Sequence, residues 1–146
     1  MDNRELVKQL RAVLANTFVL YYKTHAFHWN VEGHDFSQLH RFFKKMYEEI
    51  FDSVDLIAEN IRYLTGYAPN DLETLVTVST IKTNQDKRTA DQMIAELHAD
   101  NVAIQSVILA AFEVAQSMND QGVMNMLADR LAAHKKHAWM LRATSK

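Results

Sequence analysis

The chain has no cysteine, one proline and only three glycines. Without thiols there can be no disulfide, no thiolate metal site and no cysteine nucleophile. So few backbone breakers leave room for long uninterrupted helices. No apolar run reaches membrane-spanning length. The opening Met1-Asp2-Asn3-Arg4-Glu5 lacks the apolar stretch of a signal peptide, so the expected setting is the cytoplasm, without a membrane partner. An excess of basic charge is also missing. Sixteen Lys and Arg against 18 Asp and Glu leave a net charge of −2, which is not the footprint of a protein that coats nucleic acid.

What is present is a soluble globular composition, 48% hydrophobic with 23% charged residues. Its 146 residues fit a single domain spanning 1–146, with no internal repeat, low-complexity tract or linker. From Asn3 to Trp29, apolar residues recur at helical spacing: Leu6, Leu10, Val13/Leu14, Phe18, Tyr21. Asp2 with Glu5 resembles a capping box at its start. Asn30 to His34 reads as a loop, and Asp35, with Gln38 three residues on, is placed to cap the next helix. That helix is the longest, from Phe36 to Leu64, with Leu39, Phe43, Met46/Tyr47, Ile50, Val54, Ile57 and Ile61 on its apolar face. Thr65-Gly66 should end it, since glycine accepts the left-handed conformation of helix C-termini.

A mixed stretch from Tyr67 to Arg88 follows, with a short helix expected near Leu72–Val76. Thr89-x-x-Gln92 caps a third long helix bearing Ile94, Leu97, Ile104, Ile108, Ala111, Ala115 and Met118. Asn119-Asp120 breaks it, and a fourth runs from Gln121 to about Leu141. The expected fold is all-α: a ferritin-like four-helix bundle with a short extra helix in the crossover between helices 2 and 3.

Four residues form the candidate metal site. His28 lies near the end of the first helix and His40 one turn into the second, so a short antiparallel hairpin lets them approach. Asp55 and Glu59, four apart, share one face of the second helix. Imidazole with carboxylate suits iron, with zinc as the usual competitor. One chain cannot join the two halves: fifteen helical residues separate His40 from Asp55, about 22 Å, while a metal–ligand bond is about 2 Å. Two second helices crossing antiparallel about a two-fold axis near Glu48 and Glu49 would bring His40 of one chain to Asp55 and Glu59 of the other. An isologous contact of this kind is the commonest oligomeric arrangement.

His28-Trp29-Asn30-Val31-Glu32-Gly33, then His40, then Asp55-x-x-x-Glu59-x-x-Arg62 resembles the Dps family of mini-ferritins. The resemblance covers nearly the whole chain, including the closing Trp139-Met140-Leu141-Arg142. It implies a dodecameric shell with ferroxidase sites at two-fold interfaces. His28 and His40 of one subunit would bind iron with Asp55 and Glu59 of its partner. It implies oxidation of Fe(II) by hydrogen peroxide in preference to dioxygen, storage of Fe(III) as mineral and protection against oxidative damage. It suggests that Trp29 absorbs stray oxidising equivalents; interface packing is the plainer role.

The sequence departs from the family at three places. Where the family carries an acidic residue four positions after His40, this chain has Lys44. A protonated ammonium repels a second cation by several kcal/mol at close range. Lys44 can swing to solvent or pair with Glu48; the expectation is a weakened second iron site. The stretch matching the family's iron pores holds Asp120, Asn125 and Asp129, with Met124 and Met126 between, and is less acidic than usual. The lysine-rich tail with which many relatives bind DNA is missing, so DNA binding is expected to be absent or weak.

Other groups have plainer readings. His134 falls on the apolar face of the fourth helix, so packing is favoured over a metal clasp with His137. His25 reads as packing, His34 as a surface loop residue and His98 as exposed. The methionines read as core filler, and Tyr47 with its aromatic neighbours as core or dimer contact rather than a redox relay. Two alternatives to the ferroxidase cage remain: a non-catalytic cage holding one metal, and a DNA-compacting nucleoid protein.

Overall fold

The computed structural model describes residues 2–146, which form five helices. These are α1 (Arg4–Asn30), α2 (Phe36–Tyr63), α3 (Leu72–Val78), α4 (Ala90–Ser117) and α5 (Gln121–Thr144). Short loops make α1/α2 and α4/α5 two hairpins, which pack through α1 on α4 and α2 on α5. The short α3 lies in the crossover and rests on α1. Leu6, Leu10 and Leu20 of α1 meet Phe43, Ile50, Ile57 and Ile61 of α2 in the core. Leu97, Ile104 and Ile108 of α4, with Leu127 and Leu141 of α5, complete it, all essentially without exposure. This is the four-helix bundle with an extra crossover helix that the periodicity predicts.

The caps divide. Thr89 and Gln92 form the expected capping box, the Gln92 amide donating to Thr89 Oγ1 at 3.2 Å and the Thr89 amide to Gln92 Oε1 at 2.9 Å. The Asp2–Glu5 box does not form. Asn3 takes the N-cap position without a side-chain bond, because the Asp2 carboxylate is held by the guanidinium and amide of Arg4. Asp35 occupies the N-cap of α2, but its φ of −100° and ψ of 21° are not the extended geometry from which a carboxylate reaches the helix amides.

The end of α2 departs from the glycine expectation. Thr65, not Gly66, takes the left-handed conformation, with φ 67°. The Thr65 amide donates to Arg62 O and the Gly66 amide to Ile61 O, the paired bonds of a Schellman cap. Gly66 is required for another reason. A Cβ there would stand 2.7 Å from Val7 Cγ1, so its lack of a side chain is what lets α2 end against α1.

The crossover is tied down by polar groups of α1. The Asn16 carboxamide oxygen accepts from the amides of Thr80 and Ile81 at 3.0 and 3.1 Å. Lys23, only 4% exposed, pairs with Glu96 and Asp100 of α4 at 2.9 and 2.7 Å and donates to Lys82 O. A buried ammonium is tolerable because two carboxylates oppose its charge and a carbonyl accepts from it.

Candidate metal centre

The α1/α2 hairpin brings His28 and His40 ring to ring, 3.8 Å between centroids and 14° from parallel. Each ring is locked by the other residue's backbone. His28 Nδ1 donates to His40 O at 2.6 Å, and His40 Nδ1 to His28 O at 2.8 Å. The His28 carbonyl lies in the last turn of α1, where carbonyls have lost their helical donors and can accept from elsewhere. Since a carbonyl can only accept, each Nδ1 carries a proton, and in the neutral ring the free lone pair is on Nε2. Both Nε2 atoms lack a partner among the described residues. Orientation of one imidazole nitrogen by a backbone carbonyl is the usual support of a metal-binding histidine. His28 is buried, at 8% exposure, and His40 is half-buried.

Asp55 and Glu59 do not join it within the chain. Both are exposed on α2, one turn apart, without a salt bridge or hydrogen bond among the described residues. Among the described residues no three His, Asp or Glu side chains gather closely enough to hold a metal. At 100° per residue, Glu48, Asp52, Asp55 and Glu59 fall within a narrow stripe of α2, all exposed. Around the stripe and the adjacent end of α1 stand exposed apolar groups: Trp29, Phe36, Phe51, Leu56 and Tyr63. Several large exposed apolar groups flanking one helix face favour an interaction surface there.

Lys44 is exposed and forms no ion pair with Glu48, so of its two expected positions it takes the solvent one. Glu49, grouped with Glu48 near the expected axis, turns inward instead. It accepts from Arg130 Nη2 at 3.1 Å and from His137 Nε2 at 2.8 Å. Burial alone would raise its pKa, but the His137 and Arg130 hydrogen bonds outweigh it and hold the carboxyl well below the usual range.

His134 is fully buried, as packing requires. Its Nδ1 donates to Asn101 Oδ1 at 2.9 Å and its Nε2 accepts from Arg130 at 3.3 Å, so neither nitrogen is free for a metal shared with His137. Burial, with Arg130 and His137 nearby, pushes its pKa down to about 3. This network of Glu49, Asn101, Arg130, His134 and His137 joins α2, α4 and α5. Its signal in the sequence was four-residue spacing on α5 alone, which does not reveal partners on other helices.

The remaining expectations divide similarly. His34 is exposed in its loop, whereas His98 is half-buried rather than exposed. Asp120 caps α5 by accepting from the Val123 amide at 3.1 Å, so its carboxylate already has a structural task. Asn125 and Asp129 are exposed; Met126 is buried in the core, as are Met46 and Met93. Arg62 donates to Gly66 O at 2.7 Å and lies 4.3 Å over the Tyr67 ring.

Behind the histidine pair is an arrangement that sequence reasoning treated only as packing. The Tyr21 hydroxyl and His25 Nδ1 share a hydrogen bond of 2.9 Å, and His25 stacks on Tyr47 at 3.8 Å. Burial, then proximity to His28, lowers the His25 pKa. The spacing Tyr21-x-x-x-His25 was the available signal.

Comparison with known proteins agrees with this fold. The ferritin-like domain model matches residues 7–146. A DNA protection during starvation protein of Brevibacillus brevis is 34% identical over 142 residues, covering 94% of this chain and 95% of that protein. The crystal structure of a Dps protein from Bacillus brevis superposes with a TM-score of 0.95 at 30% identity, covering all of both chains. A Dps protein from Vibrio cholerae O1, described as a member of a broad superfamily of ferritin-like diiron-carboxylate proteins, superposes with a TM-score of 0.94. It is 26% identical and covers 99% of this chain and 91% of its own. Fold and histidine pair together define a ferritin-like helical-bundle protein. Within that class, the chain belongs to the Dps family.

Proposed function

We propose that two copies of this chain pair across a two-fold axis and oxidise ferrous iron at the shared sites, within a dodecameric shell that stores the ferric product. The observation that carries this reading is the reciprocal lock of His28 and His40. It leaves two Nε2 atoms without a partner among the described residues and with no acidic ligand of the same chain in reach. The exposed Asp55 and Glu59, unpaired in their own chain, supply the missing half from the partner, and the apolar groups around them supply the contact. Two carboxylates favour Fe(III) over Fe(II) by charge, while the neutral imidazoles fix the geometry. Hydrogen peroxide is the preferred oxidant in this reading and dioxygen the alternative.

The test is Fe(II) added without oxygen, followed by peroxide. Ferric absorbance should grow faster than in buffer, and His28→Ala and Asp55→Asn should each return it to the buffer rate. Growth unaffected by both substitutions contradicts the proposal.

Lys44 sets the stoichiometry. Exposed and unpaired, its ammonium stands one turn from His40, where it opposes a second cation. The site therefore holds one iron, and Lys44→Glu should raise the metal bound per site from about one toward two. An unchanged titration endpoint removes the role given to Lys44. The same residue favours the second reading, a non-catalytic cage with one structural metal such as zinc. In that case bound metal would persist while peroxide brings no ferric product. DNA compaction is disfavoured by the net charge of −2; a gel shift at low salt checks it.

A further inference from the structure

The exposed face of α2 is divided by charge. Its N-terminal half carries Arg41, Lys44 and Lys45, with no acidic residue between Phe36 and Tyr47. Its C-terminal half carries Glu48, Asp52, Asp55 and Glu59, with no basic residue between Glu48 and Ile61. Each of these side chains is exposed, and none forms an ion pair among the described residues.

A lone helix gains nothing from this order. Like charges three or four residues apart repel, as Arg41 does with Lys44 and Lys45, and Asp52 with Glu48 and Asp55. The helix macrodipole favours acids towards the N-terminus, which is the reverse arrangement. Lys44 and Asp52, eight residues apart, are separated by about 12 Å of helix rise and cannot pair within the chain. Only at the seam do opposite charges, Lys44 and Lys45 with Glu48, come within one turn. The face is complementary to itself in one orientation. A second copy laid antiparallel sets the basic half against the acidic half, whereas a parallel copy sets like on like.

We infer that this division of charge selects the antiparallel register, with Lys44 and Lys45 of each chain bonding the partner's Asp52 and the partner's Asp55. The inference rests on the two-fold pairing proposed above and assigns the ion pairs that fix it. With His40 opposite the partner's Asp55 and the partner's Glu59, the axis passes near Glu48. Lys44, four residues before that point, then lies opposite the partner's Asp52, four after it, and one turn from the partner's Asp55. The long lysine stems span such a gap. The two Glu48 side chains stand nearest the axis, flanked by lysines of both chains. A carboxylate has two oxygens, so the partner's Asp55 can offer one to iron and the other to Lys44. An ammonium held there occupies the place where a second cation would need the same carboxylates, which gives the one-iron stoichiometry a structural cause.

The experiment uses the metal-free full chain. An acidic variant, Lys44→Glu with Lys45→Glu, makes the face negative on both sides of the axis; a basic variant, Glu48→Lys with Asp52→Lys, makes it positive there. Alone at low salt, each should assemble about tenfold more weakly than the wild type, and added salt should narrow the difference. Mixed, they should assemble together, and native mass spectrometry with one variant isotope-labelled should find equal numbers of the two chains in every particle. Wild-type assembly of each variant alone, a random spread of compositions, or folded variants that do not assemble together overturns the inference and leaves the pairing standing. Should circular dichroism show that a reversal unfolds the chain, the neutral Lys44→Gln with Lys45→Gln takes its place. That variant should assemble more weakly than the wild type at low salt and lose its salt dependence; wild-type behaviour overturns the inference. A wild type that stays monomeric removes the two-fold reading, and this inference with it.

Discussion

Chains carrying His28→Ala and chains carrying Asp55→Ala, each inert alone, should regain about a quarter of the wild-type ferric yield per chain when assembled together in equal amounts. Random pairing across a two-fold axis makes half of the pairs mixed. In a mixed pair, one site has lost both its histidine and its aspartate. The other takes its histidines from the Asp55→Ala chain and its acids from the His28→Ala chain, and is complete. One complete site among two, in half of the pairs, is the quarter. The control is a mixture of His28→Ala with His40→Ala, which recovers nothing because both lesions lie in the same half of the site. Co-expressed and refolded mixtures should agree. If the first mixture stays inert while assembling normally, the shared site is wrong. The stacked, carbonyl-locked pair would then be a structural feature of the α1/α2 hairpin.

Acid should weaken the fold well before the general protonation of its carboxylates, through His134. Its pKa is about 3 in the fold, held down by burial and then by Arg130, against 6.5 for an ordinary histidine. Between those values the unfolded chain binds the proton and the native bundle does not, so stability rises with pH across the window. The contribution is complete above pH 6.5 and is lost progressively as pH falls toward 3. It amounts to about 2 kcal/mol by pH 5 and on the order of 4 kcal/mol over the whole window. His25, also lowered, adds in the same direction. The depressed Glu49 adds only below the ordinary glutamate value of 4.5, while Asp100, raised by burial, acts in the opposite sense, so comparison with His134→Gln is what isolates the histidine. Urea midpoints at pH 7 and pH 5 should separate clearly in the wild type and draw together in His134→Gln, whose amide can still meet Asn101 and Arg130. A wild-type midpoint unmoved by the change contradicts this account.

Local periodicity carried most of the architecture. Apolar residues at helical spacing placed four long helices to within a few residues of their observed ends, and Thr89-x-x-Gln92 located the start of α4. The positions of His28 and His40, and the distance of Asp55 and Glu59 from them, also follow from helix rise alone, as does the place of Lys44 one turn after His40. Docking of separate helices settled the rest. Which imidazole nitrogen stays free depends on the reciprocal carbonyls that α1 and α2 offer each other. Val7 of α1, not the turn itself, is what excludes a side chain at Gly66. The inward turn of Glu49 is set by Arg130 and His137, which are distant in the chain. A helix fixes the face on which a residue stands, and that is encoded locally. What the residue meets there comes from another segment, and only packing brings the two within the few ångströms over which hydrogen bonds and charges act.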